Sequence, residues 1–555
     1  MSGYRERPWL KLYNDGLPAD ITPEHSTLLE MFQASVDRAP DCEVVRYFDG
    51  VMTLADLDAA SDAMAVALGE QGFVAGDRLG LYVQNDPAFL TGLVATWKAG
   101  GTAVAINPMN KARELTYLLS DSGATALLCL DELYETVARG VIDAGETQVT
   151  TVITCSALDG QSRNDSRVLG STRAPAPDGA HDLEELIERN AGRKPEPVTA
   201  QPDDVAVLTY TSGTTGVPKG AMNTHANMVF NAMVYRDWMK LTPSDSVLGV
   251  APLFHITGLI GHVALALLLP CPLVLAHRFH PEVVMEAIRE HGPTFTVGAI
   301  TVFISLSGVE AVTRDDFSSL RVVYSGGAPI APAVNEAFSD KTGLYIHNIY
   351  GLTETNSPSH AVPLGVPAPV DQDSGALSVG VPVFNTVVRI LGDDGEEVPI
   401  GEIGEIATSG PQVVPGYWGK PDATAASLPD GELLTGDVGF MDAEGWFYLV
   451  DRKKDMINAA GYKVWPREVE DVLYGHPAVR EAAVVGVPDE YRGETVKAFV
   501  SLKPDASNVT TDDLIEYCKS QMAAYKYPRS IELIDELPKT TTGKILRREL
   551  RDDPP

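Results

Sequence analysis

The run DRLGLYVQNDPAFLTGLVATWKAGGTAVAIN, residues 77–107, leaves few folds open to this chain. Apolar stretches at 79–83 and 102–106 flank a segment in which Asn85 or Asp86 can cap a helix and Pro87 sits in its first turn. Strand, helix and strand in this order make a βαβ unit, and parallel strands joined by a crossover need both sheet faces covered. Similar alternation recurs at VTTVITC (149–155), DVAVLTY (204–210), SVLGVAPL (246–253) and LRVVYSGGAP (320–329). The chain is therefore expected to be an α/β protein with wound parallel sheets.

A chain of 555 residues exceeds what one core can organise, so several subdomains are expected. Residues 156–183, rich in Ser, Gly, Pro and Asp, are read as a surface excursion without chemistry. From 379 to 450 the texture turns to short strands and turn residues, as in RILGDDGEEVPIGEIGEIATSG, and a small β-subdomain is expected there. The charged DRKKDMI at 451–457 marks a boundary, and a compact mixed module of foldable size follows it.

Forty-three basic against 76 acidic residues give a net charge of -33, which repels nucleic acid and anionic membrane surfaces. A polyanionic ligand would need local basic groups or a metal ion against that background. Five widely spaced cysteines without a CxxC argue against a disulfide framework and a zinc site. The first residues lack a signal-peptide core, and the most apolar stretch, 263–275, is too short and too proline-broken to span a bilayer. No integral membrane segment and a cytoplasmic location are expected.

TYTSGTTGVPKG, residues 209–220, follows an expected strand and precedes a helix that Thr224 can cap. Glycines let backbone amides converge, hydroxyls add donors and Lys219 adds charge, a composition suited to a polyphosphate. It is not a Walker loop GxxxxGK[ST]. Counting from Gly213, Pro218 stands in place of the second glycine, and Gly220 in place of the hydroxyl residue that holds magnesium.

Here the chain resembles the adenylate-forming enzymes, which include acyl-CoA synthetases, luciferase-like proteins and peptide-synthetase adenylation domains. Four further motifs occur in the family order: YGLTET (350–355), TGD (435–437), DRKKDMINAAGYKVWPREVE (451–470) and PKTTTGK (538–544). The resemblance covers most of the chain and is weakest before Pro40 and around 156–197.

The resemblance implies an α/β fold with a large N-terminal domain, residues 1–450. That domain is expected to hold two wound α/β subdomains (about 1–200 and 201–378) and a small β-barrel (379–450). A small mobile α+β domain (451–555) would turn about a hinge near Lys454. It also implies ATP, Mg2+ and coenzyme A as ligands.

Thr209, Thr211, Ser212, Gly213, Thr214, Thr215, Gly216 and Lys219 would wrap the β and γ phosphates. Gly327, Ala328 and Pro329 of SGGAP, with Asn348, Ile349, Gly351 and Leu352, would surround the nucleotide. Tyr350 would stack on adenine, Thr353 would bond the α-phosphate and Glu354 would hold the metal. Asp437 would take the ribose hydroxyls, with Arg452 as a second ribose contact.

Lys544 would bridge the carboxylate and the α-phosphate as a mobile point charge. After rotation Gly461 would line the thiol tunnel, and Lys463 would serve the site in one of the two states. Asn458 departs from the lysine that coumarate ligases and luciferases carry, so no thioester role passes to it.

For the acyl group, His255 in APLFHITG is the expected gate, with Gly298, Gly326 and Ile349 as walls. Ile349 replaces a glycine common in relatives, so its bulk is expected to shorten or reshape the pocket. No acid stands where amino-acid-activating domains bind an amine, since Asp237 lies on a solvated helix face. The expected activity is ATP-dependent carboxylic acid–CoA ligation, with a medium- or long-chain fatty acid favoured over an aryl or alicyclic acid. Loading of a carrier protein in trans is the alternative. The chain runs eleven residues past Lys544 with no attached carrier, which favours a stand-alone ligase, expected as a monomer or homodimer.

Overall fold

The computed structural model describes residues 3–170, 172–211, 217–328, 330–372, 375–459, 462–489, 493–504, 506, 509–540 and 545–551. Two large sheets share one hydrophobic core. The first has seven strands in the order His181–Asp182, Thr151–Cys155, Ala126–Leu130, Arg78–Tyr82, Thr102–Ala105, Val205–Thr211, Lys219–Thr224. All neighbours are parallel except the last pair, a hairpin.

The second has nine strands. Six consecutive strands, from His347–Tyr350 through Val322–Ser325, Phe295–Gly298, Val247–Leu248 and Leu273–Leu275 to Glu43–Tyr47, are parallel, and antiparallel strands close both edges. The βαβ reading of 77–107 holds: helix Pro87–Lys98 is capped by Asp86, whose carboxylate accepts from Ala88 N at 3.0 Å.

Helix His225–Trp238 explains how the layers join. It is buried on nearly every side, as a helix between two sheets must be, and Thr224 caps it by accepting from Asn227 N. The apolar run 263–275 is likewise interior. No helix among the described residues is long and apolar enough to cross a membrane.

Two strand exchanges cross the sequence division at residue 200. Glu43–Tyr47 and Gly50–Thr53 belong to the nine-stranded sheet, whereas Val205–Thr211 and Lys219–Thr224 belong to the seven-stranded one. Residues 156–183 are also more than an excursion. Arg163 and Arg167 pair with Glu290 and Glu286, and Val168 and Leu169 are buried, so the segment straps one sheet to the helices of the other.

The β-subdomain is a four-strand antiparallel meander, Val387–Leu391 to Phe447–Arg452, rather than a closed barrel among the described residues. Four strands are too few to close a barrel that side chains can fill, and the outer edge is instead bridged at Phe447 by the backbone of Val379 and Gly380. Beyond residue 455 lies a five-stranded sheet with helices Pro466–Tyr474 and Thr511–Gln521 around a separate core that includes Val469, Leu473, Val484, Val500 and Leu514.

Candidate active site

The glycine-rich loop is the tip of the hairpin between Val205–Thr211 and Lys219–Thr224, whose last paired residues are Thr211 and Lys219. Register fixes what faces the site: Thr209 hydroxyl donates to Asn223 Oδ1 across the hairpin, and Tyr117 hydroxyl holds Pro218 O at 2.7 Å. Ser212, Gly213, Thr214, Thr215 and Gly216 lie outside the described residues, as do Pro329, Gly461, Lys544 and the side chain of Lys463.

Around the turn Thr353–Thr355 the structure uses amides. Asn223 Nδ2 donates to Asn356 Oδ1 at 2.9 Å and to Thr353 O at 3.3 Å. Asn231 Nδ2 reaches Thr355 O at 3.0 Å and Asn356 O at 2.9 Å, while Asn356 Nδ2 donates to Gln412 O at 2.9 Å. All three asparagines are fully buried, so the bonds are exchanged for no water and hold the turn in one place.

Glu354 projects from this turn. Tyr417 hydroxyl donates to its Oε1 at 2.7 Å, and the same ring carries the Lys219 ammonium 4.4 Å from its centroid. Burial and the neighbouring carboxylate push the Tyr417 phenol well above its ordinary value, so it stays a donor. Tyr417 was missed in the sequence: GYWGK carries no spacing that ties it to Lys219 or to Glu354, and only the fold joins the three.

At the other end of YGLTET, Tyr350 hydroxyl donates to Asp437 Oδ2 at 2.8 Å, and Arg452 Nε lies 3.1 Å from Asp437 Oδ1. Asp437 and Arg452 are cross-strand partners in the meander, which brings the two ribose candidates together. Burial, then Asp437, raises the Tyr350 phenol far above the usual range. Asn348 points its amide at Ser378 O, 3.1 Å away, and a Cβ on Gly351 would come within 2.9 Å of Ser357 Cα. Gly327 has a left-handed φ of 79°, next to Ala328, and Leu352 packs on the central core.

The acyl candidates lie at the carboxyl ends of three neighbouring parallel strands, the usual ligand edge of such a sheet. Gly326 N donates to Gly298 O at 3.1 Å. A Cβ on Gly326 would stand 2.8 Å from Ile349 Cγ2, and one on Gly298 2.9 Å from Val250 Cγ2. The bulk of Ile349 is thus accommodated by glycine next door. His255 caps the short helix Ile256–Gly258 through Nδ1, which accepts from Thr257 N. Its loop is braced by Asn85, whose amide donates to Ala251 O at 3.0 Å and accepts from Leu253 N at 2.9 Å.

Lys454 is exposed between Asp451 and Asp455. Arg547 ties both to the C-terminal module: its guanidinium lies 3.0 Å from Asp451, 3.5 Å from Asp455 and 2.6 Å from Glu470. Burial raises the Glu470 carboxyl above its ordinary range and Arg547 opposes this. Asn458 is exposed, and its backbone N–H donates to Glu494.

A lysine, a single carboxylate and a ribose-ready Asp–Arg pair around one turn suit a nucleotide. One oxygen of Glu354 is taken by Tyr417 and the other has no protein partner among the described residues, which also hold no cluster of three metal-binding side chains. That donor set fits Mg2+ arriving with phosphates, since this ion keeps few protein ligands.

The chain matches the AMP-binding enzyme family over residues 32–418 and the AMP-binding enzyme C-terminal domain over residues 468–544. It is 36% identical to a long-chain-fatty-acid–CoA ligase of Bacillus subtilis over 560 residues, covering 99% of this chain and 98% of the other. It is 38% identical over 514 residues to a feruloyl-CoA synthase of an Amycolatopsis species, covering 92% and 96%. Among solved structures it resembles an anthranilate CoA ligase in complex with anthranoyl-AMP, with a TM-score of 0.85 and 27% identity over 96% of this chain and 97% of that one.

Proposed function

This chain belongs to the AMP-binding enzyme family, and from that premise we propose that it activates a long- or medium-chain fatty acid. It is an AMP-forming acyl-CoA synthetase that binds ATP. The observation that carries the reading is that Asp437 on Tyr350 and Lys219, through Tyr417, on Glu354 gather at the one segment 350–354, from positions up to 218 residues apart (437 − 219).

In the first half-reaction a carboxylate oxygen of the acid attacks the α-phosphorus of ATP. The bond to the β-phosphate oxygen breaks, pyrophosphate leaves and an acyl-adenylate remains. Lys219 neutralises pyrophosphate charge, Thr353 bonds the α-phosphate, and Asp437 with Arg452 orients the ribose. Lys544 bridges the two reacting groups, so the work is positioning and charge stabilisation. Magnesium, held by Glu354, would supply further neutralisation of phosphate charge.

In the second half-reaction the coenzyme A thiol loses its proton to solvent, attacks the acyl carbonyl and expels AMP. We place the hinge at Lys454, dividing 1–450 from 451–555, with Gly461 and Lys463 delivered to the site by rotation. His255, Gly298, Gly326 and Ile349 line the acyl end, and the cytoplasm is the compartment this reading assumes.

A second reading, an aryl acid, is favoured by the similarity to feruloyl-CoA synthase and to the anthranilate ligase. Acid-dependent ATP/pyrophosphate exchange over fatty acids of graded length, ferulate and benzoate, followed by coenzyme A addition, decides between them. Exchange strongest with long acyl chains and ending in thioester supports the fatty-acid reading. Exchange confined to aromatic acids overturns it, and exchange without thioester transfers the enzyme to carrier loading.

A further inference from the structure

Lys219 and Glu354 carry opposite charges, both contact Tyr417 and yet do not pair with each other among the described residues. Left alone in a cleft, such a pair would close into an ion pair, because both charges gain from each other more than from a thin layer of water. Tyr417 holds both of them apart from each other at two of its surfaces. Its ring face takes the lysine and its hydroxyl, at the ring edge, takes the carboxylate.

The ring is also fixed in place. Tyr417 N donates to Thr424 Oγ1 at 3.0 Å. On either side of it Met222 N donates to Gly416 O at 3.1 Å and Trp418 N donates to Gly220 O at 2.8 Å, so it is fastened to the strand that begins with Lys219. The residue is 5% exposed and belongs to a small cluster with Ala221, Val414, Leu428 and Leu433.

We propose that Tyr417 is a positioning residue that separates Lys219 from Glu354, parking each so that the polyphosphate and its metal meet two unpaired charges instead of a closed salt bridge. The proposal rests on the reading of Lys219 and Glu354 as ligands of ATP and its metal. A cation on a ring face is a shallow, readily vacated station, and a neutral phenol donor leaves the carboxylate its full charge. Both groups are thereby kept close to their bound positions at little cost to the incoming ligand.

Calorimetric titration of ATP into the full-length enzyme, with and without Mg2+, tests this. Tyr417→Leu is expected to weaken metal-free ATP binding about tenfold, because Glu354 captures Lys219; in an Glu354→Gln background the same change should shift the dissociation constant less than about twofold. Tyr417→Phe, which keeps the ring, should leave metal-free binding within about twofold and raise the Mg2+ concentration needed for half of its effect about fivefold. A Tyr417→Leu defect of equal size in both backgrounds overturns the proposal, as does a Tyr417→Phe variant with unchanged Mg2+ dependence. Melting temperatures of all variants identify a folding defect. If instead Lys219→Met and Glu354→Gln bind ATP and Mg2+ as the unaltered protein does, the ligand assignment fails before the role of Tyr417 is reached.

Discussion

Two regions hold the chemistry in place by opposite means. The turn Thr353–Thr355 is anchored by neutral amides, Asn223, Asn231 and Asn356, each fully buried and bonded to backbone or to another amide. The joint near Lys454 is anchored by ions: Arg547 and Arg551 against Asp451, Asp455 and Glu470. A buried amide bond has no partner to exchange with, so it specifies one geometry. The acids of the joint, Asp451, Asp455 and Glu470, are buried as well, but the arginines that pair with them keep part of their surface in solvent, where water can compete for an ion pair. The turn is therefore held here by amides and the joint by charge.

The largest effect should come from the C-terminal module. Lys544→Ala is expected to slow acid-dependent ATP/pyrophosphate exchange by ~100-fold or more, about 3 kcal/mol, while thioester formation from presynthesised acyl-adenylate stays within a few-fold. Equal losses in both assays would erase the division of labour between the regions.

Arg547→Gln leaves Glu470 and Asp451 without their shared partner. Because the Arg547 side chain keeps 19% of its surface in solvent, a cost of about 2 kcal/mol is expected, below that of a fully buried pair, measured by urea unfolding. Asn223→Ala should cost about 1–2 kcal/mol by leaving Thr353 O and Asn356 short of a donor, and that loss should not change between 50 mM and 500 mM salt.

The amide-built half should also be indifferent to pH, with one exception close by. Asp86 is buried, its Oδ2 lacks a partner, and burial pushes its carboxyl up to about 7, against the opposing donation from Ala88 N. Its neighbour His277, 3.8 Å away, is pushed down to about 3 by burial and stays neutral, so it does not compensate. The folded protein holds a proton that the unfolded chain releases near pH 4. The resulting stability is full below that pH and is lost as pH rises toward about 7. Asp86→Asn should remove this slope, a difference on the order of 3 kcal/mol between pH 4 and 7 in thermal melts, and an unchanged slope would refute it.

The smallest effect belongs to Arg551→Ala. Its pair with Asp455 spans 3.0 Å with a third of the arginine side chain exposed, so about 0.5 kcal/mol is expected at low salt and nothing measurable at 500 mM. A salt-independent loss would place this pair with the rigid group and blur the contrast.

Much of the fold was legible because it is local. Asp86 and Pro87 announce a helix start, Thr224 another, and apolar runs at 79–83 and 102–106 read as strands, since caps and periodicity are set by neighbours in the chain. The strand exchange between the two large sheets was not legible. Glu43–Tyr47 pairs with Leu273–Leu275 across more than two hundred residues, and nothing in either pattern names its partner. The meander was read as a barrel for the same reason, because strand count is local but closure is not.

By itself the sequence determined the βαβ rhythm, the non-Walker loop and the string of motifs that carries Lys219, Tyr350, Glu354, Asp437 and Lys544. Those depend on residue type and spacing within a few positions. Only the tertiary structure decided that Tyr417 touches both Lys219 and Glu354, that Asn85 braces the loop of His255, and that Arg547 fastens Asp451 and Asp455 to Glu470. Each of these joins side chains from distant segments through one hydrogen bond, one ring contact or one ion pair. Such contacts exist only once hydrophobic burial has brought the elements together, and no local pattern encodes them.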